Sequence, residues 1–194
     1  MKAFFYLTEN EAINLPAACD AAYIKTFVLL GLNTGMRTQE LLKLTWADIS
    51  FDDRTILIRD SKSGNDDYIL MSDAVSSYLT ALERHSDFVV SSSRMRQYKD
   101  VRKAWNRVVN KAGITDKKCT PHILRHTFAT TLVRNGVDLL TVKELGRWSD
   151  LKLVQRYAHV SKSYRTRVVN KLGERFGGDA KVIQLINRYK INAA

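Results

Sequence analysis

Apolar side chains recur at helical spacing in the first part of the chain, alternate over short runs after Asp48, and return to helical spacing from about residue 99 onward. Thr8 and Glu11 stand in a capping-box pattern ahead of Ala12, Ile13, Leu15, Ala17 and Ala18, which predicts a helix from Glu9 to about Cys19. A second helix is predicted from Ala21 to Asn33, where Phe27, Val28, Leu29, Leu30 and Leu32 are too apolar to be anything but buried; Gly31 and Gly35 loosen its end. Thr38 then caps a short helix with Glu40, Leu41, Leu42 and Leu44 that stops near Trp46. Arg37 is left just outside a helix amino terminus, where backbone N–H groups favour anions.

Thr55 to Arg59 and Asp67 to Met71 are short β-rich runs separated by the turn-forming segment Asp60 to Asp66, which predicts a hairpin with Lys62 near its tip. Ser72 caps a helix to about Arg84, and Phe88-Val89-Val90 reads as a third strand. Helices follow at Lys99 to Ala112, Pro121 to Asn135 and Asp138 to Leu145, closed by Gly113, Gly136 and Gly146, then at Asp150 to His159 and Ser161 to about Leu172. Gly177-Gly178 sets off a tail with Val182, Ile183, Leu185 and Ile186. With no repeat and no Gly/Ser- or Pro-rich linker, the pattern is that of one mainly α domain with a small antiparallel sheet.

Composition agrees with a folded domain: 194 residues, 45% apolar, two prolines. No apolar stretch approaches the roughly 20 residues that cross a bilayer, and the run at Met1 to Leu7 is too short for a signal peptide. Cys19 and Cys119 stand far apart with no CxxC pair, so neither a disulfide framework nor a cysteine zinc site is indicated and a reducing compartment fits. Charge changes the picture. The net +11 divides into 8 − 13 = −5 for residues 1 to 90 and 23 − 7 = +16 for residues 91 to 194. The basic residues of the second half are interleaved with Trp105, Trp148, Tyr157 and Tyr164 in helix-like sequence, which indicates a folded basic surface, either for a polyanion such as nucleic acid or merely for solubility.

Neither GxxxxGK[ST] nor a GxGxxG after a strand is present, so nucleotide binding has no motif behind it. His122 and His126 have the spacing of a metal pair, but Ile123 stands where a metalloprotease holds its glutamate and no third ligand is evident. The acids lie mainly in the less basic half, so phosphoryl chemistry is expected to run on cations and hydrogen-bond donors without a metal or cofactor. Arg37 in Thr34-Gly35-Met36-Arg37, and His122 with Arg125 in Pro121-His122-Ile123-Leu124-Arg125-His126, offer such donors. Trp148 and Tyr157 add an indole and a phenol, and a tyrosine attacks phosphorus when its surroundings stabilise the phenolate. Lys62 at a hairpin tip can deliver a proton to a leaving oxygen. Singly, each has an ordinary structural explanation in packing, ion pairing or solvation; their joint order and spacing is what is specific.

Three ordered segments, Thr34 to Ile49 (TGMRTQELLKLTWADI), Pro121 to Thr130 (PHILRHTFAT) and Leu145-Gly-Arg-Trp with Arg156-Tyr-Ala-His159, resemble the three boxes of the tyrosine recombinases, the phage-integrase family. The resemblance runs from about Leu7 to about Lys171. It implies a helical DNA breaking-rejoining fold with a three-stranded antiparallel sheet, a catalytic domain over residues 1–175 and a tail over 176–194 that either packs on its own domain or docks on a neighbouring protomer. It implies Arg37, Lys62, His122, Arg125 and Trp148 as catalytic residues around the nucleophile Tyr157, with Glu40 in support. It further implies double-stranded DNA recombination sites as the partner, a homotetramer on DNA, a cytoplasmic, nucleoid-associated location, and cleavage through a 3′-phosphotyrosyl link without ATP or metal. The alternatives are type IB topoisomerase-like relaxation and a DNA-binding fragment that is inactive without an amino-terminal domain. The chain departs from the family pattern in two ways, with Trp148 in place of the commoner histidine and Asn65-Asp66-Asp67 making the hairpin acidic, and it is expected to be either a fragment or a protein whose clamp lacks the usual amino-terminal core-binding domain.

Overall fold

The computed structural model describes residues 5–59, 66–91, 97–114, 119–158, 166 and 169–171. In chain order the elements are α1 (Glu9–Asn14), α2 (Ala22–Thr34), α3 (Thr38–Lys43), a 3-10 turn (Trp46–Asp48), β1 (Ile49–Ser50), β2 (Thr55–Ile58), β3 (Asp67–Leu70), α4 (Asp73–Thr80), α5 (Arg102–Lys111), α6 (Ile123–Arg134), α7 (Leu139–Leu145) and α8 (Leu151–Gln155). None of the described helices is long and apolar enough to cross a membrane.

The packing of α2 on α6 organises the larger core. Ile24, Phe27, Val28 and Leu30 of α2, and Ile123 and Leu124 of α6, are all at most 5% exposed. The chain entering α1 is fixed to the same pair, because Leu7 N–H donates to Thr127 Oγ1 at 2.9 Å. Thr8 and Glu11 then make the reciprocal capping box, with Thr8 N–H donating to Glu11 Oε2 at 2.7 Å and Glu11 N–H to Thr8 Oγ1 at 3.3 Å. The helix stops at Asn14, short of the expected Cys19, because Pro16 has no N–H to continue the ladder.

The sheet is antiparallel in the order β1-β2-β3, with Ile56 opposite Ile49 on one side and Ile69 on the other. Its third member is β1 and not the expected Phe88 to Val90 segment. Phe88 forms an isolated bridge with Thr45, beside bonds from Trp46 N–H to Asp87 O and from Val89 N–H to Leu44 O. Two residues of that run are drawn into the core instead: Val89 and Val90 are both buried. The expected hairpin is present as the β2–β3 pair, whereas its tip, with Lys62, lies outside the described residues, as do His159 and the tail after residue 171.

A second, smaller core of Ala129, Val133, Val142, Val154 and Tyr157 joins the carboxy-terminal half of α6 to α7 and α8, with Trp148 packed at its side. The two cores meet along α6. The turn from α2 into α3 crosses this helix at Gly35, whose φ is +64° and whose carbonyl oxygen accepts from Arg125 Nη1. A Cβ there would stand 2.5 Å from Phe128 Cδ1. The Gly35→Ala variant is therefore expected to lose about 2–4 kcal/mol, combining left-handed backbone cost with overpacking, as measured by urea unfolding.

Candidate active site

The site is built around one carboxylate. Arg37 is the cap residue of α3, and Glu40 turns back from the first turn of that helix. Arg37 N–H donates to Glu40 Oε2 at 2.7 Å, and its Nη1 donates to Oε1 at 2.7 Å. From the far end of the chain, Arg147 Nη2 donates to Glu40 Oε2 at 2.6 Å, and the Arg147 carbonyl accepts from Arg37 Nη2 at 3.1 Å. Burial would raise the Glu40 carboxyl, but Arg147 and the Arg37 backbone and guanidinium bonds outweigh it and hold the group below its ordinary value. Glu40 thus stays ionised and fixes two arginines that come from segments more than 100 residues apart.

Arg147 does this from an unusual backbone. The carboxy end of α7 closes with Arg147 N–H donating to Glu144 O and Trp148 N–H to Lys143 O, both at 3.0 Å. These bonds form a Schellman arrangement in which the left-handed residue, φ +55°, is Arg147 and not the expected Gly146. Gly146 is needed for another reason: a Cβ there would fall 1.6 Å from Trp148 Cζ3. The ring of Trp148 lies against this glycine and over the Arg125 guanidinium, with Cζ 4.0 Å from the ring centroid.

Arg125 projects from the first turns of α6 and is 3% exposed. Burial and, next, the nearby Arg37 lower its pKa to about 10, opposed by Glu40, so it remains a cation at neutral pH. Arg37, Arg125 and Arg147 face a single carboxylate, 3 − 1 = 2 positive charges in excess, which suits a phosphodiester.

Tyr157 follows α8 and is 2% exposed. Its Oη lies 2.6 Å from His126 Nδ1, and its ring meets Trp148 edge-on at 6.1 Å between centroids. Burial pushes the phenol up to about 12. His126 stands one helical turn beyond His122, and the two rings meet at 4.7 Å and 89°. Burial lowers both imidazoles, with Arg125 next in effect on His122 and His122 next in effect on His126, which falls to about 4. Both are neutral at physiological pH.

The expected residues Arg37, Glu40, His122, Arg125, Trp148 and Tyr157 therefore converge from α3, α6, the α7–α8 turn and the end of α8. Two residues of this constellation were not expected: Arg147 and His126. The i, i+4 histidine spacing was visible in the sequence, but its partner Tyr157 lies 31 residues away, and nothing local marks Arg147 as the partner of Glu40. With the Glu40 and Arg147 side chains only 14% and 7% exposed, Glu40→Ala is expected to cost about 3–5 kcal/mol at pH 7 by denaturant unfolding. Because the folded-state pKa of Glu40 is depressed, its stabilisation is present above the unfolded value and lost as pH falls through the folded one. The difference between wild type and Glu40→Gln should accordingly shrink in acid.

Comparison with known proteins places this geometry. The model of the phage integrase family matches residues 6–164. The integrase of Salmonella phage P22 is 28% identical over 192 residues, covering 91% of this chain and 49% of that protein, so the chain spans about half the length of this relative. The catalytic domain of bacteriophage HP1 integrase superposes with a TM-score of 0.66 at 25% identity, covering 93% of this chain and 99% of that one. A pre-cleavage complex of the XerH site-specific recombinase bound to difH substrate gives a TM-score of 0.65 at 25% identity, covering 80% of this chain and 50% of that one. By the match over most of its length, the chain belongs to the phage integrase family.

Proposed function

We propose that this chain carries the catalytic domain of a tyrosine-type site-specific DNA recombinase, with residues 1–175 as that domain and 176–194 as a tail that docks on a neighbouring protomer. The observation that carries the reading is the convergence of Arg37, Arg125, His122 and Tyr157 at one place from three separated segments of the chain. Double-stranded DNA is the partner, bound by a homotetramer at recombination sites in the nucleoid. The +16 second half, with Arg102, Lys103, Arg107 and Lys111 along the exposed side of α5, supports a DNA surface.

In this mechanism Tyr157 Oη attacks a backbone phosphate, forming a 3′-phosphotyrosyl ester and releasing a 5′-hydroxyl. A 5′-hydroxyl of another strand reverses the step, so the phosphodiester bond energy is retained in the intermediate. Arg37 and Arg125 hold the non-bridging oxygens, where negative charge grows in the transition state. His122 hydrogen-bonds the phosphate, Trp148 keeps Arg125 and Tyr157 in register, and Lys62 protonates the leaving oxygen. Tyr157 and Arg125 are both almost fully buried, so DNA engagement requires the site to open.

A suicide duplex, nicked beside the cut so that the short 5′-hydroxyl strand diffuses away, tests the assignment. Wild type is expected to form a denaturation-stable protein–DNA adduct, Tyr157→Phe none, and Arg125→Gln the adduct at about 10²–10³-fold lower rate. An adduct that persists in Tyr157→Phe overturns the nucleophile. A two-site exchange assay run beside supercoil relaxation separates recombination from topoisomerase action.

A further inference from the structure

Oη of Tyr157 meets the nitrogen of a histidine to which the resemblance gives no role. His126 Nδ1 is 2.6 Å from it, within the distance over which a proton passes directly between heteroatoms. His122 meets His126 with ring centroids 4.7 Å apart and planes at 89°. We propose that His126, through Nδ1, is the base that accepts the phenol proton of Tyr157 during strand cleavage and the acid that returns it during religation. This rests on the reading of Tyr157 as the nucleophile.

A neutral imidazole has one lone-pair nitrogen and one N–H. In the tautomer with the proton on Nε2, Nδ1 accepts from the phenol, and that is the state in which the pair is ready to react. Among the described residues, the charged and titratable groups around His126 include His122 and Arg125 on its own helix, and Arg156 and Tyr157 from the end of α8. Burial first, then His122, Arg156 and Arg125, hold its pKa down at about 4, so the imidazole is neutral throughout the physiological range. The phenol, raised by burial, keeps its proton until the reaction begins.

The step balances without a further reactant. As the Oη–P bond forms, the Oη–H bond breaks and its proton moves to Nδ1. The P–O5′ bond breaks, its electron pair leaves on the 5′ oxygen, and that oxygen takes the proton assigned to Lys62. Proton transfer is uphill between the resting groups and becomes favourable as Oη turns into an ester oxygen of negligible basicity. The new imidazolium lies beside the anionic phosphodiester, which stabilises it. In religation the imidazolium gives the proton back to the departing tyrosine oxygen. His122 is then free to donate to a non-bridging oxygen throughout.

The test uses the full chain and a pool of nicked duplexes with randomised flanks, from which the duplexes linked covalently by wild type are recovered and used for every variant. Adduct rates are measured from pH 6 to 9 for wild type, His126→Asn and His122→Asn. Asparagine keeps a hydrogen-bonding group near the Nδ1 position but is not basic. Wild type should be flat with pH. His126→Asn should be slower by about a hundredfold or more at pH 7 and should rise about tenfold per pH unit, as hydroxide replaces the lost base. His122→Asn should be slowed yet remain flat. A 5′-bridging sulfur at the scissile position, which needs no proton to leave, should not rescue His126→Asn.

A wild-type rate and flat profile in His126→Asn would assign His126 a merely positioning role and overturn the proposal. Rescue by the sulfur leaving group would make His126 an acid in cleavage and overturn it equally. Absence of any adduct with wild type would overturn the reading of the whole site, and the proton path with it. Nitrogen NMR of the wild-type protein decides the matter even if His126→Asn does not fold. An unprotonated Nδ1 whose resonance moves in Tyr157→Phe supports the proposal, and a protonated Nδ1 contradicts it.

Discussion

Glu40 is the constraint on which the rest of the site depends. A carboxylate this far from water is costly unless its oxygens are filled, and here Arg37 takes Oε1 while the Arg37 backbone and Arg147 take Oε2. The same bonds tie the start of α3 to the turn after α7. That turn carries Trp148, Trp148 covers Arg125, and Arg125 is held from below by the carbonyl of Gly35 at the end of α2. The chain of contacts closes on itself, so the positions of Arg37 and Arg125 are set jointly and not one by one. The left-handed backbone of Arg147 is a local cost that this closure offsets.

Electrostatics divides the site into two regions. Around Glu40 the guanidiniums outnumber the carboxylate and remain charged despite burial. Around Tyr157 the same burial keeps the phenol protonated and, with the nearby arginines, both imidazoles neutral. A cationic region and a neutral one thus lie side by side, joined by Trp148, whose ring covers the Arg125 guanidinium and meets Tyr157 at 6.1 Å between centroids.

Much of this was legible in the sequence because it is local. The capping box at Thr8 and Glu11, the apolar runs of α2 and α6, and the β2–β3 pairing all follow from neighbours in the chain, and the ordered boxes pointed to six residues that do converge. What escaped was set by distant contacts. Phe88 to Val90 has strand composition, but the edge of β2 was already taken by β1 across a tight turn, which left Val89 and Val90 to the core. Arg147 resembles any surface arginine until Glu40 is seen opposite it. His126 had an apparent partner in His122 at i, i+4 and its more telling partner in Tyr157, which only the packing of α8 on α6 brings near. Lys62 stands with the sequence alone, outside the described residues.

The most direct measurement for the account is mass spectrometry of the protease-digested covalent adduct. The account predicts a single modified peptide, with the DNA joined through its 3′ phosphate to the oxygen of Tyr157. A link through the 5′ end, or to any other residue, would contradict it.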